Sequence, residues 1–142
     1  MNVLFLNGPN LNLLGTREPD KYGNVTLSAI EKFVREKAEK MNVSVKFEQS
    51  NHEGELIDFI QNSPGKYDAI VINPGGYTHT SVAIRDAIAA VSTPVIELHI
   101  SNIFAREEFR KNSLVAPVCR GSISGFGTKG YEIALFAAIN LN

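Results

Sequence analysis

The chain is 142 residues long, with 14 Lys plus Arg against 15 Asp plus Glu and a formal charge of −1. That length suits one domain with a core of its own, and the balanced charge argues against a nucleic-acid or anionic-membrane binder. A single cysteine, Cys119, excludes an intrachain disulfide and a cysteine-based zinc cage. No apolar run approaches the ~18 residues of a membrane span. The opening MNVLFLNGPN has no basic region ahead of its short apolar run, so a signal peptide is not expected and the cytoplasm is the expected location. With three His and no Trp, each histidine is worth a close look.

In chain order, residues 3–7 (VLFLN) form a continuous apolar run, as in a parallel strand buried on both faces. Leu27, Ile30, Phe33, Val34, Ala38 and Met41 recur at helical spacing with charges between them. Ser28 with Glu31 has capping-box spacing, and Thr26 is the alternative cap. Residues 43–48 read as a second strand. Ser50 with Glu53 has the same capping spacing ahead of a helix carrying Leu56, Ile57, Phe59 and Ile60. Residues 69–73 (AIVIN) are the third strand, 81–91 the third helix and 95–100 (VIELHI) the fourth strand. A short charged helix is predicted over 104–112, a fifth strand over 116–123, and a closing apolar helix over 131–140. Lone Cys119 falls inside that fifth strand, as a small core residue. The six prolines sit at the boundaries of these elements or in loops.

Strands alternating with helices predict an α/β domain with a parallel sheet. At this length the expectation is a flavodoxin-like three-layer sandwich, five strands in order 2-1-3-4-5 with helices on both faces. One domain spans 1–142. Ligands of such sheets bind beyond the carboxyl ends of the strands, so the loops after Asn7, Asn73 and Leu98 should meet in one crevice.

Those loops have unusual compositions. Residues 8–24 (GPNLNLLGTREPDKYGN) are too many for a routine connection and carry Asn10, Arg17 and Tyr22, as a lid or a solvated surface loop would. Residues 73–81 (NPGGYTHTS) bring Gly75 and Gly76, which permit close backbone approach, and His79, which is either a ligand contact or a solvated residue. Neither the GxxxxGK[ST] nor the GxGxxG phosphate motif is present. Asp86 follows roughly two turns after His79 on the next helix, where a simple ion pair with Arg85 or a lysine is the alternative to a ligand contact. His99 ends the fourth strand, and Glu97 lies two residues earlier on the same side, spaced to orient the imidazole. Arg106 and Arg110, four apart, either form a solvated face with Glu107 and Glu108 or aim at an anionic ligand. His52, in a turn, has no assigned role. No metal set emerges: His79 with His99 would need further ligands.

Five long segments carry a resemblance: NGPNLNLLGTREPDKYG at 7–23, SNHEGELID at 50–58, INPGGYTHTSVAIRDA at 72–87, ELHISNIFAREEFRKNS at 97–113 and GSISGFGTKGYEIAL at 121–135. Together they closely resemble type II 3-dehydroquinate dehydratase, in register over nearly the whole chain. Gly76, where the family often has Ala, is a local departure.

The resemblance implies a metal-free, cofactor-free lyase. It would dehydrate 3-dehydroquinate to 3-dehydroshikimate, a shikimate-pathway step toward chorismate and the aromatic amino acids. The elimination is anti and passes through an enolate. By position in the motifs, Tyr22 is the base and His99 the acid, with residues 8–24 as the lid. Arg17 stabilises the phenolate and enolate, Asn10 holds a water against the enolate oxygen, and Glu97 orients His99. Asn73, His79, Asp86, Arg110 and the backbone at Ile100 and Ser101 would hold the substrate. The implied assembly is a homo-oligomer, commonly a dodecamer of trimers, in which Asp86 reaches a neighbouring subunit's site. Nucleic acid and membrane are not expected partners.

Two other functions suit the fold. An FMN-binding flavodoxin-like electron carrier is the alternative, but the first loop lacks a hydroxyl- and Gly-rich phosphate cradle. A phosphorylation-dependent signalling module needs carboxylates after the first and third strands, where this chain has Asn7 and Asn73. A Schiff-base dehydratase needs a lysine at the end of a central strand, and none of the lysines falls there.

Overall fold

The computed structural model of the chain describes residues 1–16, 20 and 24–141, so Arg17 and Tyr22 lie outside the described residues. The apolar run at the start becomes β1 (Asn2–Asn7), whose Val3 to Leu6 are almost wholly shielded from solvent. It sits in the middle of the sheet, paired in parallel with β2 (Ser44–Gln49) on one side and β3 (Ala69–Asn73) on the other. β4 (Val95–His99) and β5 (Gly121–Ser124) extend the sheet, giving the order β2-β1-β3-β4-β5 expected from the sequence.

Alternation along each strand splits the core into two layers. Val3, Phe5, Val71, Ile96 and Leu98 face α1 (Leu27–Lys40) and α4 (Gly130–Ile139). Leu4, Leu6, Ile70, Ile72 and Val95 face α2 (Glu53–Gln61) and α3 (Val82–Ala90). Within α1 the four-residue spacing of Ile30, Val34 and Ala38 makes the buried stripe. Gly130 opens α4 where a Cβ would come within 2.9 Å of Leu98 Cδ1, so glycine lets the helix lie close to the sheet.

Local chemistry decides where several elements begin. Thr26, with extended backbone, caps α1 by accepting the Ala29 N–H at 3.1 Å; Ser28 is already inside the helix. For α2 the cap position falls on His52. Ser50 instead accepts the His52 N–H at 2.9 Å and donates to Glu55. Ser81 caps α3 by accepting from Ile84 N–H and donates to Glu53 at 2.6 Å, tying α2 to α3.

Three sequence expectations are corrected. The segment 104–112 is two separate 3-10 turns, Ile103–Ala105 and Glu108–Lys111, rather than one helix, because extended backbone at Arg106 and Glu107 interrupts it. β5 begins at Gly121, later than predicted. Pro117, with no N–H for a sheet ladder, lies in a 3-10 turn over Ala116–Val118. Cys119 therefore follows that turn and is not inside a strand. It is partly buried, and burial and the nearby Glu97 charge push its thiol up to about 12.

Candidate active site

The carboxyl ends of β1, β3 and β4 open into one cleft of about 160 Å³. The first loop contributes Pro9, Asn10 and Leu11, the second Asn73, Gly75, Gly76 and His79, and the third His99, Ile100, Ser101, Ile103, Arg106 and Arg110. Seven residues expected from sequence thus share one site: Asn10, Asn73, His79, His99, Ile100, Ser101 and Arg110. Glu97 lies directly behind His99. Asp86 does not join them; it is exposed on α3, outside the cleft. Both arginines reach the cleft, although no continuous helix carries them.

Asn10 has a left-handed backbone, with φ of 70°, which Asn tolerates better than most residues. Its N–H donates to Asn51 Oδ1 at 3.0 Å. Gln49, at the end of β2, donates to both Gly8 O and Asn51 Oδ1 at 3.1 Å. The start of the first loop is thereby fastened to the sheet edge. Gly8 N–H also donates to Asn73 O at 2.8 Å. A Cβ on Gly8 would fall 2.6 Å from Pro74 O, so this approach of two strand ends requires glycine.

Asn7 and Asn73 are register partners at the ends of β1 and β3. The fully buried Tyr131 of α4 donates its hydroxyl to Asn7 Oδ1 at 2.6 Å and lies 3.4 Å from Asn73 Nδ2. Burial pushes that phenol well above its ordinary pKa, so it serves as a neutral donor. Asn73 Oδ1 in turn accepts the Gly75 N–H, which sets which end of each amide faces where.

His79 Nδ1 lies 2.9 Å from the Asn112 carbonyl. A carbonyl only accepts, so Nδ1 carries the proton and Nε2 is the acceptor of the neutral ring. Burial, then repulsion from His99 and Arg110, lowers the ring's pKa; the Asn112 bond and the Glu97 charge oppose this without reversing it. Arg110 is engaged with Glu107, and Arg106 Nη1 donates to Ser101 Oγ at 3.3 Å.

His99 is buried at the end of β4, with Nε2 3.1 Å from Glu97 Oε2. The contact is close but falls outside good hydrogen-bond direction. Glu97 is completely shielded from solvent. Burial alone would push its carboxyl up, but the close contact and charge of His99 and hydroxyl bonds from Ser113 and Ser122 outweigh that and hold it below the usual carboxylate range. The unit is a carboxylate, an imidazole and a cleft with cationic walls. It can hold a small anion and supply a proton from His99.

Sequence reasoning missed Ser113, Ser122, Asn51 and Tyr131. The parallel register pairs Glu97 with Ser122, a signal masked by the misplaced start of the fifth strand. Tyr131 sits on a helix whose apolar character hid its polar end.

Among the described residues, no group of three or more His, Cys, Asp or Glu side chains is placed to hold a metal ion, and no helix is long and apolar enough to cross a membrane.

Sheet order and cleft position define a doubly wound α/β protein with its ligand site at the carboxyl ends of the central strands. The chain belongs to the class II dehydroquinase family, whose model, described as "Dehydroquinase class II", matches residues 1–139; it is therefore an enzyme of the hydro-lyase kind. It is 59% identical over 136 residues to the 3-dehydroquinate dehydratase of Caldicellulosiruptor bescii, covering 95% of this chain and 94% of that one. The 3-dehydroquinate dehydratase of Trichodesmium erythraeum is 53% identical over 139 residues, 98% of this chain and 93% of its own. The crystal structure of type II dehydroquinase from Butyrivibrio crossotus superposes with a TM-score of 0.96 at 49% identity, covering 99% of this chain and 98% of that one.

Proposed function

We propose that the chain dehydrates 3-dehydroquinate to 3-dehydroshikimate by anti elimination through an enolate. The observation that carries this reading is the buried His99, backed by Glu97 and opening on a cleft with Asn73, His79 and Arg110. Family membership and the names of the relatives supply the substrate.

The steps follow from proton balance. Tyr22, as phenolate, takes the proton next to the ketone, and the electron pair moves onto the carbonyl oxygen. Asn10, holding a water, stabilises that enolate. The enolate then collapses, the C1–oxygen bond breaks, and His99 delivers a proton so that water leaves. Asn73, His79, Arg110 and the backbone of Ile100 and Ser101 hold the substrate's hydroxyls and carboxylate.

A free tyrosine has a pKa of about 10, so only ~0.1% is phenolate at pH 7. An adjacent cation lowers such a group by about 1–3 units, and a two-unit drop would raise the reactive fraction to roughly 10%. Arg17, five residues from Tyr22, is the cation assigned to that task, with residues 8–24 closing as a lid.

The chain acts as one catalytic domain over 1–142, in the cytoplasm, assembled as a dodecamer of trimers. Supporting the assembly, Phe136 is 62% exposed and Ile133 39% on an otherwise apolar α4. Asp86, which does not line its own cleft, is assigned to a neighbour's. The direct test is incubation with 3-dehydroquinate while watching for the ultraviolet absorbance of the conjugated enone. No absorbance change from folded protein would end the proposal.

A further inference from the structure

Glu97 presents a problem that the proposed reaction makes acute. Its carboxylate is completely shielded from solvent, and among the described residues no arginine or lysine is bonded to it. Its ionic partner is His99, and in the proposed reaction His99 gives its proton away. At that moment the buried carboxylate loses its counter-charge, and a buried anion without compensation is costly.

Two hydroxyls take up the load. Ser113 Oγ, from the segment after Arg110, donates to Glu97 Oε2 at 2.5 Å. Ser122 Oγ, from β5, donates to Glu97 Oε1 at 2.6 Å. The direction of the Ser113 bond is fixed, because an ionised carboxylate only accepts, so the hydroxyl gives it its hydrogen while its oxygen accepts the Ala116 N–H at 3.0 Å. The Ser122 bond is fixed by the sheet, since Glu97 and Ser122 are register partners on one face of β4 and β5. Each carboxylate oxygen therefore has its own hydroxyl donor, and Oε2 also meets His99.

Resting on the reading of His99 as the acid, we propose that Ser113 and Ser122 are positioning residues that keep Glu97 ionised throughout turnover. They thereby set how readily the Glu97–His99 pair gives up its proton. Among the described residues, the other ionisable groups around the pair are His79, Arg110 and Cys119, coupled to it by charge, with Arg106 on the cleft wall. Cys119 remains a thiol, and neither serine is bonded to the two cations, so removing the hydroxyls perturbs the pair directly.

The sign is unambiguous. Donors to a carboxylate favour its charged form, so deleting them makes the pair easier to protonate wherever the proton sits. Ser122→Ala, Ser113→Ala and the double variant should each raise the apparent pKa of the pair, by about one unit in the double variant. The readouts are the pH profile of kcat with 3-dehydroquinate and an NMR titration of the His99 ring without substrate. Ser122→Thr, which keeps the hydroxyl, should restore the parental profile. Ser122 is an exposed residue, so its alanine variant is the one expected to fold intact. A uniform drop in kcat with an unmoved pKa, or no change in either, overturns the proposal. If the parent protein fails to turn over 3-dehydroquinate, the functional reading falls, while the ring titration still decides the serines.

Discussion

The chemistry of the cleft is concentrated in side chains that strand geometry brings to one rim. Asn73 and His99 end β3 and β4, and this was legible in the sequence because continuous apolar runs locate buried strands and their last residues. Glu97 was legible through the two-residue period. Ser113, Ser122 and Tyr131 were not, because each acts through a partner far away in sequence. Tyr22→Phe keeps the ring and removes the ionisable hydroxyl, so turnover should vanish while substrate binding, followed by calorimetry, persists; near-parental rates would remove Tyr22 as the base. His99→Ala should lower kcat by about 10²–10⁴, the usual loss for a general acid. Glu97 also links pH to stability. Its carboxyl is held below the ordinary 4.5 in the folded chain, so its contribution is full above that value. It is lost as pH falls through the folded value. Denaturant titrations of the parent should thus lose stability on acidification below about pH 5, and Glu97→Gln should reduce that slope.

Elements were legible where periodicity and capping chemistry agreed, and were misplaced where two segments offered the same pattern. Both Ser28–Glu31 and Thr26 fit the start of α1, and the extended backbone at Thr26 resolves the choice. Thr26→Ala should therefore cost about 1 kcal/mol in denaturant unfolding, whereas Ser28→Ala should leave stability nearly unchanged; equal effects would return the cap to Ser28. The 104–112 segment illustrates the opposite difficulty. Its charge spacing suits a helix, but short helices gain little from propensity alone. Here extended backbone at Arg106 and Glu107 breaks the segment into two short 3-10 turns. The fifth strand was likewise started too early because Ala116, Val118 and Cys119 are apolar enough to suit a strand, while Pro117 and the Ser113 cap bend the chain into a turn.

At the scale of the molecule, the sheet order followed from alternation of strands and helices, but the completeness of the site did not. Asp86 stands in a segment that resembles the family's, yet it is exposed on α3, outside the cleft of its own chain. On the α4 side, Ile133 and Phe136 remain open to solvent, an apolar face suited to burial against another subunit. These two facts belong together if a neighbour's Asp86 completes each cleft. Asp86→Asn alone should then lower activity without changing the mass of the assembly, as measured by light scattering. The sharper test mixes Asp86→Asn subunits with Tyr22→Phe subunits, each inactive or nearly so by itself. In hybrid assemblies an Asp86→Asn subunit keeps its own Tyr22 and receives Asp86 from a Tyr22→Phe neighbour, so some sites regain a full complement and activity should reappear. If Asp86 serves its own chain, no mixture contains a complete site, and activity should stay at the sum of the separate variants.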